Sequence, residues 1–191
     1  CRAIQSPTYG TKPLPAERIP NGGRCGSRYA LHVTAGPFDE VSFEFQENWG
    51  GIVARQFLRD AGPYPEAGIE GWDGICFWAR RGPESRPGIR LDLTERHTDE
   101  KYITAEGCTP CNPFQTDDHP EEGCDKFGAY ATLTRNWQFF AIPFSEMRQA
   151  GWGQPAEYFD IWGLRSIGFS YNVGYWDFWV DNVALYRLRS E

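Results

Sequence analysis

The sequence has one methionine, Met147, and three histidines, and its 19 lysine and arginine residues fall short of its 26 aspartates and glutamates. The resulting formal net charge of -7 argues against nucleic acid or an anionic membrane surface as the partner, because both recruit basic patches. No apolar run approaches the ~20 residues that a membrane-spanning helix requires. There is no G-x-S-x-G elbow, no H-E-x-x-H pair and no glycine loop of the kind that cradles phosphate. Internal repeats and low-complexity tracts are also lacking. His32 falls inside a strand pattern and reads as a structural side chain rather than a base. Asp117, Asp118, Glu121 and Glu122 cluster in one polar loop, whereas glycoside chemistry needs two carboxyls held across a bond. A solvated acidic loop is the better reading, and the chain is expected not to be an enzyme.

Aromatics are abundant. They make up 16% of the chain, with 8 Trp, 9 Tyr and 13 Phe among 191 residues that are 40% hydrophobic. That length suits one domain with a self-sufficient core. Residues 1–21 hold Pro7, Pro13, Pro15 and Pro20 with no hydrophobic period, so an extended Pro/Gly-rich arm is expected there, ahead of a single domain over 22–191. Tyr29–Thr34 reads as a strand, and Val41–Gln46 as a half-buried one with Val41, Phe43 and Phe45 on one face. Gly74–Ala79 is nearly continuously apolar, as for a central strand covered on both sides. Gly88–Thr94 alternates, with Ile89, Leu91 and Leu93 inward, and Gly128–Leu133 is another strand. Between them, residues 95–127 lose all periodicity and form a long loop, a length that usually carries a staple or a role. Trp137–Phe144, Leu164–Tyr171 and Tyr175–Tyr186 are aromatic, β-branched segments separated by Gly, Pro and Asn, and they read as the final three strands. Pro143 cannot donate to a ladder and marks the end of the first of these. Phe144–Ala150 is the one place for a helical turn, with Ser145 as its N-cap.

Six cysteines, Cys1, Cys25, Cys76, Cys108, Cys111 and Cys124, point to disulfides in an oxidising compartment, extracellular or periplasmic. Cys108-Thr-Pro-Cys111 with His119 and Cys124 has spacing that a tetrahedral zinc site could also use. Disulfides are the expected state, and the pairing stays open. Cys1 at the first position fits the acylated cysteine of a processed bacterial lipoprotein and is the lipidation candidate.

Three motifs carry a resemblance. W-x-x-F-x-I-P-F-S from Trp137, I-x-F-x-Y ending at Tyr171, and F-W-V-D-N-V ending at Val183 follow one another in order. Together they resemble the C-terminal half of galactose-binding-like β-sandwiches. The chain is most similar to carbohydrate-binding modules of family eleven and to complex I intermediate-associated proteins. The likeness runs over roughly residues 22 to 187, with the 95–127 loop as an insertion. It implies an all-β jelly-roll sandwich, and it places Tyr171, with Arg148, at a concave, ligand-binding sheet. The acidic-aromatic first strand of such modules is not recognisable in residues 1–21, which weakens the expectation of a structural calcium. Asp181 matches the family's last-strand aspartate and is expected to set a bulge rather than to bind metal.

A sugar ring packs its C–H faces on aromatic planes, so aromatics beside turns are the candidates. Trp49, Trp152, Tyr175 and Trp176 all flank Gly-rich turns. The expected function is non-catalytic binding of an oligo- or polysaccharide, with no cofactor. The alternative is a lipid-anchored or secreted accessory subunit docking on a membrane-associated complex, and a glycoside-active enzyme has only the loop carboxylates behind it.

Overall fold

The computed structural model describes residues 17–18, 29–35, 51–56, 71–99, 111, 123–171 and 174–188. Among the described residues nine strands run in chain order: β1 (Glu17–Arg18), β2 (Tyr29–Ala35), β3 (Gly51–Gln56), β4 (Gly74–Arg81), β5 (Gly88–Thr94), β6 (Phe127–Thr132), β7 (Gln138–Pro143), β8 (Ser166–Tyr171) and β9 (Trp176–Tyr186). They build a five-stranded sheet, β1-β2-β9-β4-β7, and a four-stranded sheet, β3-β8-β5-β6. Every pairing is antiparallel. The protein is an all-β sandwich.

Period-two alternation makes the core. Leu31 and Val33 of β2, Ile75, Phe77 and Ala79 of β4, and Trp176, Phe178 and Val180 of β9 face Ile89, Leu91 and Leu93 of β5 and Ile167 and Phe169 of β8. Phe77 meets Phe169 across the two layers edge-on at 5.0 Å between ring centroids. The alternation read in Gly88–Thr94 is therefore the one that the fold uses. Gly74–Ala79, read as covered on both sides, is covered on one. It is central in its sheet, but Cys76, Trp78 and Arg80 point away from the core and are only half-buried. Apolar bulk on both parities reflects an aromatic outer face rather than a second layer.

β7 does end at Pro143, but the turn after it is a single 3-10 turn, Phe144–Glu146. Its N-cap position is Pro143, which gives no side-chain cap, so Ser145 does not serve as one. A β-bulge interrupts the β4–β9 ladder between Cys76 and Trp78, where Asn182 takes a φ of 52° next to Asp181. Within the expected N-terminal arm, Glu17–Arg18 pairs with β2. The rest of that arm, the strand expected at Val41–Gln46, and Cys1, Cys25, Cys108, His119 and Trp49 lie outside the described residues.

Cys111 and Cys124 form a disulfide, with Cα atoms 5.0 Å apart. Two oxidised sulfurs cannot serve as thiolates, so this bond rules out a zinc site that uses both. Cys76, a disulfide candidate by sequence, is a free cysteine. Its cross-strand neighbours are Ala141 and Ala184, so neither adjacent strand offers a sulfur opposite it.

Candidate functional site

The outer face of the four-stranded sheet is where side chains capable of recognition converge. Because Ile89, Leu91 and Leu93 point inward, Arg90, Asp92 and Thr94 of β5 point outward. The register then sets their neighbours. Arg90 lies between Tyr130 of β6 and Ser170 of β8. Asp92 lies between Gly128 and Gly168, two residues without side chains. Thr94 faces Ser166.

Asp92 faces away from the core yet is only 5% exposed, and Ser166 and Gly168 beside it are also buried. The centre of this face is therefore a low recess closed over Asp92 by Arg90, which donates to it. Burial pushes the Asp92 carboxyl above the usual carboxylate range, opposed by the Arg90 charge and a hydrogen bond with Ser170. At one side of the recess Tyr130 is 74% exposed, on the edge strand β6. The Arg90 guanidinium carbon lies 5.8 Å from its ring centroid.

Arg90 is held from several sides. Its Nη1 donates to Asp92 Oδ1, and its Nη2 donates to the carbonyls of Lys126 at 2.8 Å and Arg148 at 2.9 Å. The Arg148 carbonyl also accepts the Gly128 N–H, in a bridge that joins the 148 loop to β6. Arg148 thus enters through its backbone. Its side chain folds back to donate to the carbonyls of Ser145 and Met147, both at 2.7 Å.

The loop after Arg148 is pinned by one carboxylate. Asp125 is almost wholly buried and accepts N–H bonds from Ala150 at 3.1 Å, Gly151 at 2.6 Å and Trp152 at 3.2 Å. Gly151 permits this wrap with a φ of 91°. Gln149 adds bonds to the Asp125 and Gln154 carbonyls. Trp152 is consequently a half-exposed ring on a well-anchored loop whose first residue touches the recess.

The other sequence candidates are placed differently. Tyr171 shares the parity of Ile167 and Phe169, so it faces the inter-sheet core instead of the ligand face. Its ring lies 5.6 Å from Trp176 and 5.8 Å from Phe178, and burial pushes its phenol up. Trp176 is 1% exposed and packs in the core, so it offers no ring to a ligand. Its place beside a turn did not put it on the surface, because the first residue of β9 already has inward parity. Tyr175 is exposed, at the end of the sandwich, where its carbonyl accepts the Arg86 N–H. His32 is structural in its contacts, with Nε2 2.7 Å from Asp177 Oδ1 and its ring stacked on Trp179 at 3.7 Å.

The family 11 carbohydrate-binding module of the cellulosomal cellulase Lic26A-Cel5E of Clostridium thermocellum superposes with a TM-score of 0.55 at 17% identity, over 88% of this chain and 79% of that one. The fold is that of these modules. A family 11 module from Clostridium thermocellum in complex with a β-1,3-1,4-mixed-linked tetrasaccharide gives a TM-score of 0.52 at 19% identity, over 86% of this chain and 78% of that one. No protein-family model matches the sequence, and no curated protein matches it.

Sequence reading missed Tyr130, Arg90 and Asp92. The signal was present in parity: once Ile89, Leu91 and Leu93 are taken as inward, Arg90 and Asp92 must point out. For β6, however, neither parity is strongly apolar. Phe127, Ala129 and Ala131 alternate with Gly128, Tyr130 and Thr132, so the inward set is decided only by pairing with β5.

Proposed function

We propose that this domain binds neutral oligo- or polysaccharide in the recess of the four-stranded sheet, without catalysing a reaction. The observation that carries this reading is the row Tyr130–Arg90–Ser170 lying beside Gly128–Asp92–Gly168. An exposed phenol ring offers a face to pyranose C–H groups. Arg90, Asp92 and Ser170 supply a donor, an acceptor and a hydroxyl within one strand spacing. The glycines beside Asp92 let Arg90 lie flat over the sheet, so that a sugar ring can approach this face beside Tyr130. Arg90 and Asp92 neutralise each other, so the recess suits an uncharged ligand. The Cys111–Cys124 disulfide supports an exported chain working in an oxidising compartment.

The test is a panel of soluble cello-, xylo-, manno- and mixed-linked β-glucan oligosaccharides, titrated calorimetrically against the wild type, Tyr130→Ala and Asp92→Asn. Saturable binding weakened in both variants, with melting temperature retained in Tyr130→Ala, supports the recess. Binding indifferent to both substitutions removes it. Absence of binding across the panel and to insoluble glycans removes the carbohydrate reading, leaving an accessory subunit that docks on a larger complex.

A further inference from the structure

The opposite face of the sandwich carries aromatic rings beside a row of small side chains. On the five-stranded sheet, Cys76 lies between Ala184 and Ala141, so one cross-strand row consists of small side chains. Two residues along, Trp78 pairs with Phe139, their rings tilted at 5.4 Å, and Phe139 is 54% exposed. Two residues the other way, Gly74 lies between Tyr186 and Pro143. The Tyr186 ring leans over Gly74, since a Cβ on that glycine would come 2.7 Å from the phenol oxygen. The result is a trough across β9, β4 and β7, with a floor of Ala184, Cys76 and Ala141. Trp78 and Phe139 wall one side, and Tyr186 walls the other.

We infer that this trough is a second subsite for a neutral, hydroxyl-rich glycan chain, running across the strands. The outward residues of the trough include no Leu, Ile, Val or Met; they are rings and small groups, with the buried Asp181 carboxyl opposite Trp78 on β9 at one corner. Burial favours the neutral thiol of Cys76, and burial with the nearby Asp73 and Glu146 carboxylates favours the neutral phenol of Tyr186. Beyond the Trp78 wall stands a cation, Arg80, held against Trp179 and Trp137 at 5.2 and 5.3 Å. Beyond the other wall stand acids, so neither a polyanion nor a polycation is matched along the whole length.

Two alternatives fit less well. At about 4.8 Å between strands and about 3.4 Å per residue, the trough covers roughly 200 Å². That is far below the about 800 Å² each partner contributes to a stable protein interface, which argues against a second copy. A proline-rich peptide presents carbonyl acceptors and lacks N–H donors. The neutral Tyr186 phenol can donate to either ligand, but the Asp73 and Glu146 carboxylates near it accept, which hydroxyl donors satisfy and a polyproline backbone does not.

Cys76 makes the trough testable. In the full chain carrying Tyr130→Ala, which weakens the first recess, alkylation of Cys76, a reporter local to the trough, by N-ethylmaleimide is followed by peptide mass spectrometry. The probes are cello-, xylo- and mixed-linked β-glucan oligosaccharides. A glycan at ten times its Kd should slow modification about tenfold by mass action. Binding of the same variant to insoluble glycan should persist and be lost when Ala141→Arg is added, an exposed edge position where a long side chain crosses the floor. If the thiol is inert even without glycan, this second comparison decides. The inference is overturned if glycans neither slow Cys76 nor bind in an Ala141→Arg-sensitive way. It is equally overturned if protection rises with protein concentration alone, marking self-association, or appears only with a proline-rich peptide. A wild type that binds glycan only through Tyr130 keeps the first site and loses this one.

Discussion

The Arg90 guanidinium lies over Gly128, so that a Cβ on residue 128 would fall 2.8 Å from Arg90 Cζ and against the Leu91 carbonyl oxygen. The absence of one side chain is what lets Arg90 reach the Lys126 and Arg148 carbonyls. Gly128→Ala should therefore cost about 1–3 kcal/mol of stability, since the backbone contact cannot be relieved by a rotamer. It should also weaken glycan binding. Chemical denaturation with a parallel titration checks both, and unchanged affinity would detach Arg90's position from the recess.

Two tyrosines should behave oppositely. Tyr130→Ala removes an exposed ring and should leave stability within about 0.5 kcal/mol while lowering glycan affinity about threefold to tenfold. Tyr171→Ala removes a half-buried ring packed on Trp176 and Phe178 and should cost about 1–3 kcal/mol, less than a fully buried large-to-small change. Tyr171→Phe, which keeps the ring, should bind as the wild type does. Loss of binding in Tyr171→Phe at full stability would restore it as a ligand contact.

Asp125 anchors the 148–152 loop through three backbone N–H groups. Asp125→Ala leaves those donors without their acceptor and should cost about 2–4 kcal/mol. Trp152 should become more mobile, read as faster quenching of tryptophan fluorescence by acrylamide. Unaltered quenching with lowered stability would mean that the loop holds without its carboxylate.

Glu95 should make stability depend on pH. Its side chain is fully buried, its Oε1 has no hydrogen-bond partner, and burial pushes its carboxyl up. The folded state then holds the proton more tightly than the unfolded chain. Below the ordinary carboxylate value both states are protonated and nothing is lost; as pH rises through the raised value, the folded state must bury a charge and loses stability. Asp92, also shifted up by burial, acts in the same direction. Melting temperature should fall across this acidic window in the wild type and fall less in Glu95→Gln, which keeps an acceptor for the His97 N–H at 3.0 Å. A variant as steep as the wild type would place the dependence elsewhere.

Alternation of apolar residues in Gly88–Thr94, the aromatic segments after Trp137 and the stop at Pro143 were enough to determine an all-β sandwich and the inward face of a strand such as β5, because a strand's side-chain period is a local property. The same rule, applied to Ile167, Phe169 and Tyr171, turns Tyr171 toward the core, against which it packs half-buried, whereas the resemblance implied the ligand face. What local pattern could not determine was which outward residues meet. Tyr130 and Ser170 are 40 residues apart in sequence and flank Arg90 only because β6 and β8 both pair with β5. Likewise Cys76, Ala141 and Ala184 share a trough floor only through β7 and β9, and a bulge at Asn182 returns Ala184 to that face. Strand order and register are long-range choices, made by the packing of one sheet on the other, and they decide both surfaces.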